Sequence, residues 1–261
     1  MQAERLGTLT RAANKVKRWS VRARERAQSV PIRAANRGLP IPPGRLLHKV
    51  GNTEDIAWVL SAGSEGANSL LETLARNGVA IERLGAVLDF GCGIGRVLRY
   101  FAAVSGPAWH GTDYNPELIA WCAANLPFAR FQVNGLDGPL AYESESFDLV
   151  YALSVFTHLD EPKQFAWIDE LTRVLKPGGH LFLTTHGEHY RPKLAPADQE
   201  RFRQGQLVVL QGDREGSNDC AAFHPEPYVR NTLARGLAVV DFRPEGARGN
   251  PRQDAYLLRK A

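Results

Sequence analysis

Residues Val87 to Arg96 read Val-Leu-Asp-Phe-Gly-Cys-Gly-Ile-Gly-Arg, and they constrain this chain more than any other stretch. An apolar strand runs into glycines at three alternate positions, and Val97 to Phe101 then reads as the start of a helix. Glycine has no Cβ, so the backbone can turn sharply there and let a ligand come close. A helix start beyond the turn aims free N–H groups into it. Such a loop takes a nucleotide-like ligand.

The details of the loop discriminate between ligands. Its spacing is G-x-G-x-G, one residue short of the G-x-G-x-x-G dinucleotide fingerprint. Asp89 stands at the strand end against the loop. A carboxylate there repels a pyrophosphate in a low-dielectric crevice. S-adenosylmethionine has no phosphate and carries an ammonium and a sulfonium, so it suits the loop better than NAD.

Trp109 to Asp113 forms a second strand that also ends in an acid. Asp113 lies at the chain distance that reaches ribose hydroxyls, and one carboxylate can accept from both. Asn115-Pro116 signals a helix start, with the helix expected from Glu117 to Asn125. A third strand spans Ala129 to Val133 and ends at Asn134. A fourth spans Phe147 to Leu153 and runs into Ser154 to Leu159. A helix from Pro162 to Leu175 follows, and Lys176-Pro177-Gly178-Gly179 turns into the strand His180 to Thr185. Alternating strands and helices build a parallel sheet covered on both faces.

With these motifs in order, residues 85–185 resemble a class I S-adenosylmethionine-dependent methyltransferase. The resemblance rests on Leu88-Asp89-Phe90-Gly91-Cys92-Gly93-Ile94-Gly95, Gly111-Thr112-Asp113, Ser146-Phe147-Asp148-Leu149-Val150 and Val174-Leu175-Lys176-Pro177-Gly178-Gly179. It implies a Rossmann-like, doubly wound α/β fold of seven strands, mostly parallel, with the last strand inserted antiparallel. It implies that the Gly91, Cys92, Gly93 and Gly95 loop wraps the methionine part and that Asp89 holds its ammonium. Asp113 would hold the ribose and Tyr114 would line the adenine, with Arg96 and Ser154 completing the cofactor set. The product would be S-adenosylhomocysteine. One departure concerns the adenine amino group. Leu136 stands where many members carry an aspartate, so Asn134 or Asp137 must supply that contact, and Asn134 is favoured because it sits at the strand end.

The protein's chemistry in such a reaction is position and proton removal. His158, just past the fourth strand, is the candidate general base, because an open α/β sheet presents its ligand crevice there. Its alternative role is packing the next helix. His186 and His189 beyond the fifth strand, and then His224, are further acceptor-side candidates, with Tyr151 and Tyr190 to orient the acceptor. No metal ligand spacing is recognisable, so no metal is expected.

Domain organisation follows from charge and length. Residues 1–37 carry ten Lys or Arg against Glu4 and Glu25, a net +8 in a chain of net +4. This basic arm, with the Pro-rich linker to residue 43, is expected to be partly disordered. It either solvates freely or touches an anionic membrane surface or nucleic acid. Residues 44–261 form the cofactor-binding domain. Its N-terminal helices are expected over 45–62 and 66–77, capped by Thr53 and Ser64, and they either lid the cofactor or pack on the sheet. Residues 186–224 are too long for a simple crossover and are expected to shape the acceptor site. Within that region Gln206 to Leu210 is an extra strand and Gly216 to His224 a loop. A helix from Pro225 to Arg235 and strands at Leu237 to Phe242 and Gln253 to Leu258 close the domain.

The chain has 261 residues, 44% of them hydrophobic, with no apolar run long enough to span a bilayer and no signal-peptide pattern. Its three cysteines, Cys92, Cys122 and Cys220, lack ligand spacing and point to a reduced, cytoplasmic protein. The favoured function is methyl transfer to an O or N atom of a small polar metabolite, natural product or sugar, without obligate nucleic acid. The competing readings are a macromolecule methyltransferase docking through the basic arm, and a non-catalytic cofactor binder.

Overall fold

The computed structural model describes residues 38–214, 216, 219–249 and 252–261. The expectations for residues 1–37 therefore fall outside the described residues. The folded unit is a seven-stranded sheet of order β3-β2-β1-β4-β5-β9-β8, with a separate two-stranded ribbon β6-β7. Strands β1 (Ala86–Phe90), β2 (Ala108–Asp113), β3 (Ala129–Val133), β4 (Phe147–Ala152) and β5 (Leu175–Thr185) are mutually parallel. β9 (Gln253–Lys260) lies antiparallel between β5 and β8 (Leu237–Ala247). This is the Rossmann-like methyltransferase architecture that the sequence implies.

The central strands are buried on both faces. Leu88, Val150, Ala152 and Leu181 face one core, with Trp167, Ile168 and Leu171 of α4 (Glu161–Val174). Val87, Leu149, Tyr151 and Phe182 face the other, with Leu70 and Leu74 of α2 (Ile56–Arg76). Alternation along one strand thus feeds two cores, as a covered parallel sheet requires. Each such Leu or Phe contributes about 1.5–3 kcal/mol by leaving water.

Two helices begin where their caps dictate. Asn115 accepts from Glu117 N–H at 3.0 Å and starts α3 (Pro116–Asn125), and Asp160 accepts from Lys163 N–H at 2.9 Å and starts α4. At the opposite end of the sheet from the crevice, Asp148 accepts from the Gly85 and Ala86 N–H groups and pairs with Lys176 at 2.9 Å. Two residues of the sequence motifs are thus stitches between strand starts rather than ligand contacts.

The structure departs from several sequence expectations. α1 (Gly44–Gly51) ends because Asn52 turns left-handed at φ 50°, and Asp55, not Thr53, caps α2 by accepting from Trp58 N–H. Ser64 lies inside α2. The segment after the glycine loop is a short 3-10 turn, Leu98–Phe101, not the start of an α-helix. Gly91, Gly93 and Gly95 all have positive φ (70°, 54° and 66°), which holds the chain in turns until residue 95, and the stretch before β2 then closes only this 3-10 turn. Beyond β5, Pro196–Arg203 forms α5, Val208–Leu210 forms β6, and Ala221–Phe223 pairs with it as β7 where a loop is expected. The last helix is a brief α6 (Glu226–Tyr228) continued by a π turn, Val229–Leu233. No described helix is long and apolar enough to cross a membrane.

Candidate active site

The carboxyl ends of β1, β2, β4 and β5 open onto a cavity of about 910 Å³. It lies at the topological switch between β1 and β4, where crossovers leave in opposite directions. Its walls include Asp89, Gly91, Cys92, Gly93, Arg96, Asp113, Tyr114, Asn134, Leu136, Ser154, His158, His186 and Tyr190. The sequence analysis singled out all of these from five separate strand ends and loops, and the fold brings them together.

Three buried side-chain oxygens characterise the β1–β3 side. Asp89 is buried and its Oδ2 has no hydrogen-bond partner. Burial pushes its pKa up to about 8, moderated by the nearby Tyr151 hydroxyl, which is not aligned for a full hydrogen bond, and by the Arg96 guanidinium. Asp113 accepts from the Gly93 and Asn115 N–H groups, each at 2.9 Å, which ties the glycine loop to β2. Burial raises its pKa, against those two bonds. Each oxygen keeps a second lone pair for a ligand. Asn134 donates its Nδ2 to the Gly135 carbonyl at 2.8 Å, while its Oδ1 is buried and unpartnered.

The glycine loop is packed too closely for side chains. A Cβ on Gly91 would stand 2.5 Å from Val155 Cγ2, and one on Gly93 would stand 3.1 Å from Val50 Cγ2. A Cβ on Gly63 would strike the Arg96 carbonyl, so α2 lies directly on the end of the loop. Arg96 donates to the Gly249 carbonyl at 3.0 Å. Tyr114 is 42% exposed, and its hydroxyl donates to the Gly216 carbonyl at 2.6 Å across the cavity rim.

Histidines dominate the β4–β5 side. His158 Nδ1 lies 2.9 Å from the Cys220 carbonyl, so Nδ1 carries a proton and Nε2 keeps its lone pair. Burial lowers the His158 pKa below its usual 6.5, so the ring is neutral at pH 7. The His158 and His186 rings meet edge to face with centroids 6.5 Å apart. His186 stacks on Tyr190 at 4.3 Å and on Phe223 at 5.4 Å. Burial, with His158 nearby, brings the His186 pKa down to about 4.

Four of the sequence candidates stand outside the cavity lining. Gly95 faces α3, where a Cβ would stand 2.5 Å from Leu126 Cδ1. Tyr151 is buried beneath Asp89 in register with it. His189 lies 3.7 Å from Glu245. His224 is fully buried, with Nε2 3.0 Å from Gln164 Oε1. Gln164 donates to the Phe156 and Leu159 carbonyls, so its oxygen faces His224 and the ring is the donor there. Sequence reasoning missed Trp58, a cavity-lining side chain 42% exposed, and Gln253, which supports the wall from behind. An exposed tryptophan has no local signature, and Gln253 stands 67 to 99 residues from the groups it touches. Among the described residues, no group of three or more His, Cys, Asp or Glu is arranged to hold a metal ion.

Residues 88–183 match the family model described as a methyltransferase domain. The chain is 33% identical over 111 residues to a chloroplastic tocopherol O-methyltransferase of Arabidopsis thaliana, covering 40% of this chain and 31% of that protein. It is 28% identical over 128 residues to a mitochondrial ubiquinone biosynthesis O-methyltransferase of Dictyostelium discoideum, covering 44% and 39%. It thus spans less than half the length of these relatives. Among solved structures it resembles the Burkholderia thailandensis 1,6-didemethyltoxoflavin-N1-methyltransferase with bound 1,6-didemethyltoxoflavin and S-adenosylhomocysteine. That likeness has a TM-score of 0.56 at 18% identity and covers 83% of this chain and 85% of that one. An S-adenosylmethionine-dependent methyltransferase from Mesorhizobium loti gives a TM-score of 0.55 at 20% identity, covering 75% and 100%.

Proposed function

We propose that this chain, a member of the class I S-adenosylmethionine-dependent methyltransferase family, methylates a hydroxyl oxygen of a small polar acceptor. The observation that carries the cofactor assignment is the set of three buried side-chain acceptors, Asp89, Asp113 and Asn134. A ligand that satisfies them must bring donors at three points. The ammonium, the ribose diol and the adenine amine of S-adenosylmethionine do so, whereas a dinucleotide, which shares the ribose and adenine donors, brings the acceptors of its diphosphate toward Asp89. The 3-10 turn after the glycine loop fits the same ligand, because the loop itself carries no regular helix N-terminus for a phosphate.

In this reading Asp89 accepts from the ammonium and becomes ionised on doing so. Arg96, the cation beside it, meets the carboxylate of the same ligand. Asp113 holds the ribose, Asn134 Oδ1 takes the adenine amine, and Tyr114 and Leu136 flank the base. Cys92 fills space in the loop. The bound cofactor supplies an electrophilic methyl group on a sulfonium.

His158 is the acceptor-side base. Its Nε2 takes the proton from the acceptor hydroxyl, and the Cys220 carbonyl holds the ring in the tautomer that can do so. An already neutral imidazole serves a hydroxyl acceptor more than an amine, which favours O over N. Tyr190 and His186 supply a flat aromatic wall for the acceptor. The segment 186–224 contributes Tyr190, Asp219 and the Cys220 carbonyl to this side, which supports a role in acceptor selection. The buried Cys92, Cys122 and Cys220 suit a reducing, cytoplasmic setting. A macromolecular acceptor or a membrane contact would have to rest on residues 1–37, outside the described residues.

Calorimetric titration of the full chain tests the reading. S-adenosylhomocysteine is expected to bind and NAD to leave no signal. NAD binding without S-adenosylhomocysteine binding overturns it.

A further inference from the structure

We propose that Gln253 is a positioning residue of this crevice: its buried amide locks Ser154 in a left-handed backbone conformation and His186 in a single tautomer. The inference deepens the methyltransferase reading and rests on it for its functional meaning.

Gln253 opens β9 and is 4% exposed. A buried amide must find partners for both its oxygen and its nitrogen. The Thr184 hydroxyl donates to Gln253 Oε1 at 2.7 Å. Gln253 Nε2 donates to Ser154 Oγ at 2.9 Å and lies 3.3 Å from His186 Nε2. The Ser154 N–H donates to Thr184 Oγ1 at 2.8 Å. These bonds close a ring: Ser154 N–H to the Thr184 hydroxyl, that hydroxyl to the Gln253 oxygen, and the Gln253 nitrogen back to Ser154 Oγ.

Ser154 needs such a ring. Its φ is +61°, a region that an L-residue with a Cβ enters only at a cost. Strained serines of this kind persist where the surroundings over-determine them. Here the ring fixes the backbone through its N–H and the side chain through its Oγ. The same hydroxyl lies 3.1 Å from Thr157 Oγ1, one residue before His158.

His186 is fixed by the second N–H of the amide. A ring nitrogen facing an amide donor must present its lone pair, so the proton sits on Nδ1, near the Ala222 carbonyl but not aligned for a full hydrogen bond with it. The titratable groups that face the ring are His158, His224 and Lys193, cationic when charged, and Tyr190, whose phenol burial keeps protonated. Ser154 and His186 both line the cavity, on either side of His158. One amide from the far end of the domain therefore sets the wall around the proposed base before any ligand enters.

Imidazole 15N spectra of the full chain test this without an acceptor. Wild-type His186 is expected as the Nδ1–H tautomer. In Gln253→Glu the carboxylate can only accept, so the proton moves to Nε2 and the titration midpoint rises by about one pH unit or more. His158, held by Cys220, keeps its tautomer in both and reports an intact site. An Nε2–H tautomer for His186 in the wild type, or an unchanged His186 spectrum in the variant, overturns the proposal. A thermal-unfolding cycle covers the case in which the charged variant does not fold. Gln253→Met should lower Tm much less in a Ser154→Gly background than in the parent, because glycine needs no restraint at this φ. Equal losses overturn the Ser154 half. If S-adenosylhomocysteine fails to bind the wild type, the methyltransferase reading falls, while the spectra still judge Gln253.

Discussion

His158 Nδ1 donates to the Cys220 carbonyl oxygen at 2.9 Å, and that one bond decides which ring nitrogen faces the cavity. His158→Gln is expected to lower turnover of a hydroxyl acceptor by about 10²–10⁴-fold while S-adenosylhomocysteine affinity stays within about threefold. The neutral ring is the active form, and burial lowers its pKa below 6.5. The rate should therefore rise with pH to a plateau reached by neutrality, and the variant should lack that limb. Radiolabelled methyl transfer across a pH series measures both. A variant with wild-type turnover makes His158 a packing residue.

Asp89 is buried with a pKa near 8, against about 3.9 for an unfolded carboxyl. A raised pKa means that its contribution to stability is complete below about pH 4 and is lost as pH rises toward 8. Asp89→Asn should accordingly raise the Tm of the ligand-free protein by several degrees at pH 8 and change little at pH 4. It should also weaken S-adenosylhomocysteine binding by about tenfold or more. Wild-type binding at pH 7 should release close to one proton to buffer, and the variant should release less. Calorimetry in buffers of different ionisation heat reads this directly.

Gly91 combines φ +70° with a Cβ position 2.5 Å from Val155 Cγ2. Gly91→Ala should destabilise by roughly 1–3 kcal/mol and abolish detectable cofactor binding. Adding Val155→Ala removes the clash but not the backbone cost, so it should recover part of the stability. Full recovery would show that packing alone reserves the position for glycine. Urea unfolding of the three variants separates the two effects.

His224 is fully buried, with a pKa near 3 in the folded chain against about 6.5 unfolded. The unfolded chain binds the extra proton between these values, so stability is full above pH 6.5 and declines as pH falls toward 3. His224→Gln, which keeps a donor for Gln164, should flatten that decline by up to about 1.4 kcal/mol per pH unit. Urea midpoints from pH 7 to 4 test it, and an unchanged slope assigns the acid sensitivity to other groups.

The cofactor side of the crevice was legible because its residues are local. Asp89 and the glycines follow one another along ten residues, and Asp113 ends the next strand. Asp148 and Lys176 were legible as motif letters, but their work is to pair across strand starts, which spacing alone does not reveal. The segment 97–101 was misread because the chain leaves three positive-φ glycines still turning and closes a 3-10 turn there, a difference that side-chain pattern does not encode. The α1–α2 boundary was misread because Asn52 in the left-handed region outweighs two potential serine and threonine caps. β7 was hidden by its small residues and is a strand only because β6 lies beside it. The Gln253 ring was illegible for the same reason: Ser154, Thr184 and Gln253 meet only after three strands have paired.

Among the described residues, the segment between β5 and the last helix meets the rest of the domain through the His186–Phe223 bridge, the His224 N–H on the His186 carbonyl, the Gly216 N–H on the His158 carbonyl, the Cys220 carbonyl on His158 Nδ1 and the Tyr114 hydroxyl on the Gly216 carbonyl. Leu194, Phe202, Val208 and Phe223 form an apolar cluster of its own, while Leu207 and Ala222 pack in the main core. A lineage changing its guest molecule can redraft the stretch around Leu194 and Phe202 and inherit the seven strands unaltered, provided that the anchors at Leu207 and Ala222 stay and a carbonyl still meets His158.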